Sequence, residues 1–162
     1  MQFSPDEHYF AASSRTGDYV AYNFFQIVSA RDGKNLGGVF LATGKYSFIP
    51  EYWSAGGDRL VIWDNQHRVL LYSVTSGQAI RKWFGDRPRL SDSGNFLAFE
   101  NGRGHVLVYD LKSLQKSNEY YFAQPVVAKL FSQDGQRLMV LQSDQTLFQL
   151  EIGGASEKSA GK

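Results

Sequence analysis

Short apolar runs alternate with polar, turn-forming segments along most of this chain. Leu60-Val61-Ile62-Trp63, Phe96-Leu97-Ala98-Phe99 and Leu138-Met139-Val140-Leu141 are each followed, after a few polar residues, by a second run: Val69-Leu70-Leu71-Tyr72, Val106-Leu107-Val108-Tyr109 or Leu147-Phe148. Runs this short, rich in β-branched and aromatic residues and bounded by turn formers, predict strands, and each pair predicts a hairpin. The turns fall near 64–67, 101–104 and 142–145. Because the runs are almost continuously apolar, both faces of each small sheet are expected to be covered. No stretch shows a helical period, so essentially no helix is expected.

The hairpins belong to an internal repeat. Three windows align without a gap over 22 residues, beginning at Trp53-Ser54, Leu90-Ser91 and Phe131-Ser132, and a fourth begins at Phe3-Ser4. Each opens with a bulky apolar residue and a serine, then a turn such as Ser93-Gly94 or Asp134-Gly135. In the first window two registers compete. The favoured one aligns Ser29-Ala30-Arg31-Asp32-Gly33-Lys34 with Ser73-Val74-Thr75-Ser76-Gly77-Gln78 and lengthens the hairpin loop; the other puts Tyr22-Asn23 at the strand end. The intervals between windows hold further strand material at 38–41, 46–49, 79–84, 120–122 and 126–130. Four strands per period, with 37 to 50 residues between window serines, match β-propeller blades, which stack face to face and so cover both sides of each sheet.

The window resembles the core of a WD40 repeat. Phe3-Ser4-Pro5-Asp6 and Phe131-Ser132-Gln133-Asp134-Gly135 match its opening, and Tyr109-Asp110-Leu111 matches its Trp-Asp ending with Tyr in place of Trp. The likeness covers residues 3–152. The family's stabilising network is largely missing: no upstream Gly-His occurs, the Trp positions hold Tyr72, Tyr109 and Leu150, and only Asp144 stands where the turn aspartate belongs. Trp63-Asp64 and Gly104-His105 fall at other places in the repeat and are not its signatures. The resemblance implies an all-β chain of about four four-stranded antiparallel units, near 3–49, 50–84, 85–122 and 123–152, with a polar tail at 153–162. With no room before Phe3 for an inner strand and none after Ile152 for an outer one, the ring is expected to be incomplete. Its edges would then pair with the rest of a larger propeller or with a second copy.

Composition narrows the function classes. With 43% hydrophobic residues the 162-residue chain has material for a packed core. A net charge of +1 without runs of like charge argues against a nucleic-acid or anionic-membrane surface. The absence of cysteine excludes thiolate metal sites and disulfides. The apolar runs are far shorter than the roughly 20 residues of a membrane helix. No charged region followed by an apolar segment opens the chain, so a cytoplasmic location is expected.

Candidate chemistry is sparse. His67 and His105 lie in equivalent turns, but two histidines without a fixed acidic third ligand read as loop residues. Ser4, Ser54, Ser91 and Ser132 are not in a Gly-x-Ser-x-Gly context and read as turn hydroxyls that cap backbone amides. No phosphate-cradling loop or zinc-type His-Glu-x-x-His occurs. No enzyme activity and no cofactor are expected. The aromatics Trp53, Trp63, Trp83, Tyr72 and Tyr109 read as core. Partner binding is placed on the turns, at Asn65, His67, Arg68, Asp86, Arg87, Arg103 and His105. The resemblance implies a protein-binding scaffold, and the basic turns point to an acidic partner segment. The alternative is a propeller enzyme or sensor that holds a small ligand or metal in its central channel.

Overall fold

A computed structural model describes residues 2–16, 22–41, 48–54, 56–64 and 66–152. Among them there is no helix, and the strands form four antiparallel sheets. The first contains β1 (Gln2–Phe3), β2 (Tyr9–Thr16), β3 (Tyr22–Ser29) and β4 (Asn35–Leu41). The second contains β5 (Phe48–Trp53), β6 (Arg59–Asp64), β7 (Arg68–Ser73) and β8 (Gln78–Phe84). The third contains β9 (Asp86–Leu90), β10 (Phe96–Glu100), β11 (Val106–Asp110) and β12 (Gln115–Tyr120). The fourth contains β13 (Val126–Phe131), β14 (Arg137–Gln142) and β15 (Leu147–Glu151). In every sheet the strands run in sequence order, as in a propeller blade.

The window serine sets the local geometry of each sheet. The hydroxyls of Ser4, Ser54, Ser91 and Ser132 accept the N–H of Tyr9, Arg59, Phe96 and Arg137 at 3.0–3.1 Å. In three sheets the same hydroxyl donates to a turn carboxylate, Asp6, Asp58 or Asp134, at 2.5–2.6 Å. That bond holds the Asp6 and Asp134 carboxyls below their usual range. The turn then needs a left-handed residue, which is Gly57, Gly94 or Gly135 in three sheets and Glu7, at φ 59°, in the first. At the far end of the hairpin Tyr9 pairs with Ser29 as Arg59 pairs with Ser73. This is the favoured register of the first window, in which Ser29 matches Ser73.

Packing between sheets follows one scheme. Ala11 and Ile27 of the first sheet meet Leu60, Ile62, Tyr72 and Val74 of the second. Val61, Val69, Leu71 and Trp83 of the second meet Leu90, Leu97, Phe99 and Leu111 of the third. Ala98, Val106 and Val108 of the third meet Phe131, Leu138, Val140 and Ile152 of the fourth. Each sheet therefore buries both faces where it has two neighbours, which explains the continuous apolar runs. Burying an aliphatic side chain contributes about 1.5–3 kcal/mol, so these three interfaces are the main source of cohesion. Arg59 adds a polar link, donating from the second sheet to the carbonyls of Gly94 and Leu111 in the third at 3.1 and 3.2 Å.

Three expectations need correction. A short inner strand, β1, does precede the first window, pairing Gln2 with Ala11 and Phe3 with Phe10. Asp86 and Arg87, placed on a turn, belong instead to the inner strand of the third sheet, Asp86–Leu90. The outer strand of that sheet is the polar Gln115–Tyr120 rather than 120–122. Position 1, the hairpin tip at 17–21, the connection at 42–47, Ala55, Asn65 and the tail 153–162 lie outside the described residues.

Candidate partner-binding rim

In a four-stranded meander the turn between the second and third strands emerges at the same end as the connection leading to the next sheet. The contacts of this chain show that grouping. Gly85 donates its N–H to the His67 carbonyl at 2.7 Å, and Ser143 donates to the Pro125 carbonyl at 2.9 Å. A Cβ on Gly85 would collide with the Phe99 ring and the Glu100 carbonyl, so only glycine lets β8 pass into β9 this close to β10. His67, Asp86, Arg87, Arg103 and His105 thus lie on one rim. Asn65 is outside the described residues.

Both rim histidines have carboxylate partners. His67 Nδ1 lies 2.5 Å from Asp86 Oδ1, and the exposed pair raises the imidazole above its usual 6.5 through that hydrogen bond and the Asp86 charge. His105 Nδ1 lies 3.1 Å from Glu119 Oε1, and Lys116 Nζ lies 2.5 Å from Glu119 Oε2. The bonds from Lys116 and His105 hold Glu119 below the usual carboxylate range. His105 also packs against Tyr121, ring centroids 4.2 Å apart, and Tyr121 is exposed. Asp86 was among the expected rim residues but Glu119 was not, and neither pairing was legible in sequence because the carboxylates stand 19 and 14 residues from their histidines, across a sheet boundary or a strand. Among the described residues no group of three or more His, Asp or Glu is arranged to hold a metal ion.

Arg68 is not a free rim cation. It opens β7, and its Nε lies 2.6 Å and its Nη2 2.5 Å from Oδ2 of the buried Asp64. Asp64 also accepts the N–H groups of Gln66 and Arg68 at 3.0 Å, so the pair holds the hairpin turn together. Arg68, placed among the partner-binding turn residues, is instead committed to the turn, and removing it would leave a buried carboxylate short of its cation.

Arg87 and Arg103 remain as the accessible cations among the expected residues. Arg103 stands at the tip of the 101–105 turn, its N–H donating to Asn101 Oδ1 at 2.9 Å, and its side chain is exposed. Arg87 sits in a bulge of β9, between the Ala98–Arg89 and Glu100–Asp86 pairings, with φ 50°. A non-glycine residue in that region is strained by about 1–3 kcal/mol and is held by its surroundings. Here the hold is an ion pair with the buried Glu100. Sequence reading passed over Glu100, which also binds Lys129 Nζ of the fourth sheet at 2.5 Å. Burial lowers the Lys129 pKa, Glu100 supports its charge, and nearby Arg87 and Arg89 lower it further. One buried carboxylate thus serves more than one cation. The opposite rim carries the turn carboxylates Asp6, Asp58, Asp92 and Asp134, all exposed.

The chain is similar to the crystal structure of the C-terminal WD40 domain of Sif2, with a TM-score of 0.67 over 93% of this chain and 14% identity. It spans 42% of that chain's length. No protein-family model and no curated protein matches the sequence. The likeness is one of fold, and together with the four sequential antiparallel sheets it defines the class: this is an all-β protein of WD40-like propeller blades. The described sheets do not close a ring.

Proposed function

We propose that this chain is a protein-interaction module that takes an acidic segment of a partner across the rim formed by the 101–105 turn, the start of β9 and the 121–125 connection. The observation that carries the reading is the cation excess around Glu100. Arg87 and Lys129 both pair with that one carboxylate, and Arg87 extends into solvent. Arg103 adds a second exposed cation, and Tyr121 against His105 offers an aromatic platform beside them. The carboxylates gathered on the opposite rim would repel the same segment, which gives the module a preferred side. A WD40-like fold supports the reading because it presents rigid turns on a stacked scaffold.

The test is fluorescence anisotropy with a labelled peptide of alternating glutamate and serine, against the wild-type chain and an Arg87→Gln, Arg103→Gln variant. Exposed ion pairs contribute about 0.2–1 kcal/mol each, so the double variant should bind about fivefold more weakly, and added salt should narrow the gap. Equal affinity of the two proteins would refute the proposal. So would equal wild-type binding of a single-stranded DNA of the same charge, which would mark a non-selective polyanion surface.

A further inference from the structure

The three interfaces between sheets use equivalent positions, and the same positions are uncovered at the two ends of the row. On the face that receives the next sheet, Val69, Val106 and Leu147 are equivalent, pairing across their hairpins with Trp63, Glu100 and Leu141. Val69 and Val106 are fully buried, whereas Leu147 is 64% exposed. Leu130, which pairs with Met139 on that face of the fourth sheet, is 58% exposed. Met139 is half-buried, while its counterparts Val61 and Ala98 are wholly buried.

The first sheet shows the complementary half. On the face that receives the preceding sheet, Leu90 and Phe131 are buried, but their counterpart Phe3 is 52% exposed. Leu60, Leu97 and Leu138 are fully buried there, but Phe10 is only half-buried, its ring 5.6 Å from that of Phe3. One molecule therefore presents both halves of a single stacking interface, one at each end. Isolated exposed leucines are ordinary; here the counterparts of Leu147, Met139, Phe3 and Phe10 that are described in sheets with a neighbour on that face are all buried.

We infer that the fourth sheet docks the first sheet of a second copy, head to tail, in continuation of the three interfaces within the chain. The fit is argued from the positions: Phe3 and Phe10 of one copy would cover Leu147, Leu130 and Met139 of the other, as Leu90 and Leu97 cover Val69 and Val61. A head-to-tail contact closes into a ring or grows without end. Two sets of four sheets make eight, within the range of about four to eight blades that propellers adopt. A closed two-chain assembly is therefore the expected state.

Light scattering after size exclusion tests this with the wild-type chain and the variants Leu147→Asp and Phe3→Asp. Both positions are exposed, and a circular-dichroism melt verifies folding; Leu130→Asp replaces Leu147→Asp if that variant fails to fold. The wild type should run at the mass of two chains and each variant at the mass of one. An equimolar mixture of the two variants should regain a two-chain species, because each supplies the face the other has lost. A wild-type mass of one chain at every concentration overturns the inference. So does a Phe3→Asp variant that stays at two chains, which would place the contact between two fourth sheets or along the β15 edge. Failure of the mixture to reassociate, or masses that climb without limit, overturns it too.

Discussion

Lys129 Nζ lies 2.5 Å from Glu100 Oε1, a buried ion pair joining the inner strand of the fourth sheet to the second strand of the third. An ion pair between buried groups carries a large desolvation cost, so its worth lies in each partner's dependence on the other. Lys129→Met alone should destabilise the chain by about 3–5 kcal/mol, because Glu100 then keeps only Arg87. Lys129→Met combined with Glu100→Leu should recover most of that loss. Urea unfolding of the two variants checks the pattern, and equal losses in both would show that the pair has no such coupling.

Glu7 adopts φ 59° where the other three sheets place glycine in the same turn. A side chain in the left-handed region costs roughly 1–2 kcal/mol, and glycine avoids that cost at some entropic expense. Glu7→Gly should therefore stabilise the chain by about 0.5–1 kcal/mol, raising Tm by a few degrees for a chain of this size. A fall in Tm would mean that Glu7 makes a compensating contact.

The His67–Asp86 bond makes a prediction about pH. The folded pKa of His67 lies above its ordinary 6.5, so folding favours the protonated ring. The associated stability is fully present below the unfolded value and is lost as pH rises through the folded one. A proton NMR titration should find the His67 ring titrating above 6.5, and Asp86→Asn should move it down toward that value. An unchanged titration in the variant would break the assignment.

The architecture was legible because it rests on local patterns. The apolar runs and the repeated serine–turn unit predicted the second and third strands of the last three sheets, the favoured register fixed where the first hairpin ends, and the serine hydroxyls cap the amides their position suggested. The strands that escaped are polar. Asp86–Leu90 contains Pro88 and two arginines, and Gln115–Tyr120 is polar at all but its last position; both are strands because a neighbouring strand pairs with them. The rim was legible only in part. Turn residues could be assigned to one end from the repeat, but the partners of His67, Arg68 and Arg87 depend on pairings set by the turns and by the bulge in β9. No sequence period reveals that Glu100, at the end of an apolar run, faces a lysine 29 residues away.

The central claim is that an acidic partner segment meets the rim of Arg87, Arg103 and His105. Amide chemical-shift mapping of the isotope-labelled chain, titrated with the glutamate–serine peptide, tests it most directly. The account predicts the largest shifts at 85–87, 101–105 and 121–125, with the turns at 54–58, 91–95 and 132–136 on the opposite rim unmoved. Shifts centred on those opposite turns, or spread along β15, would contradict it.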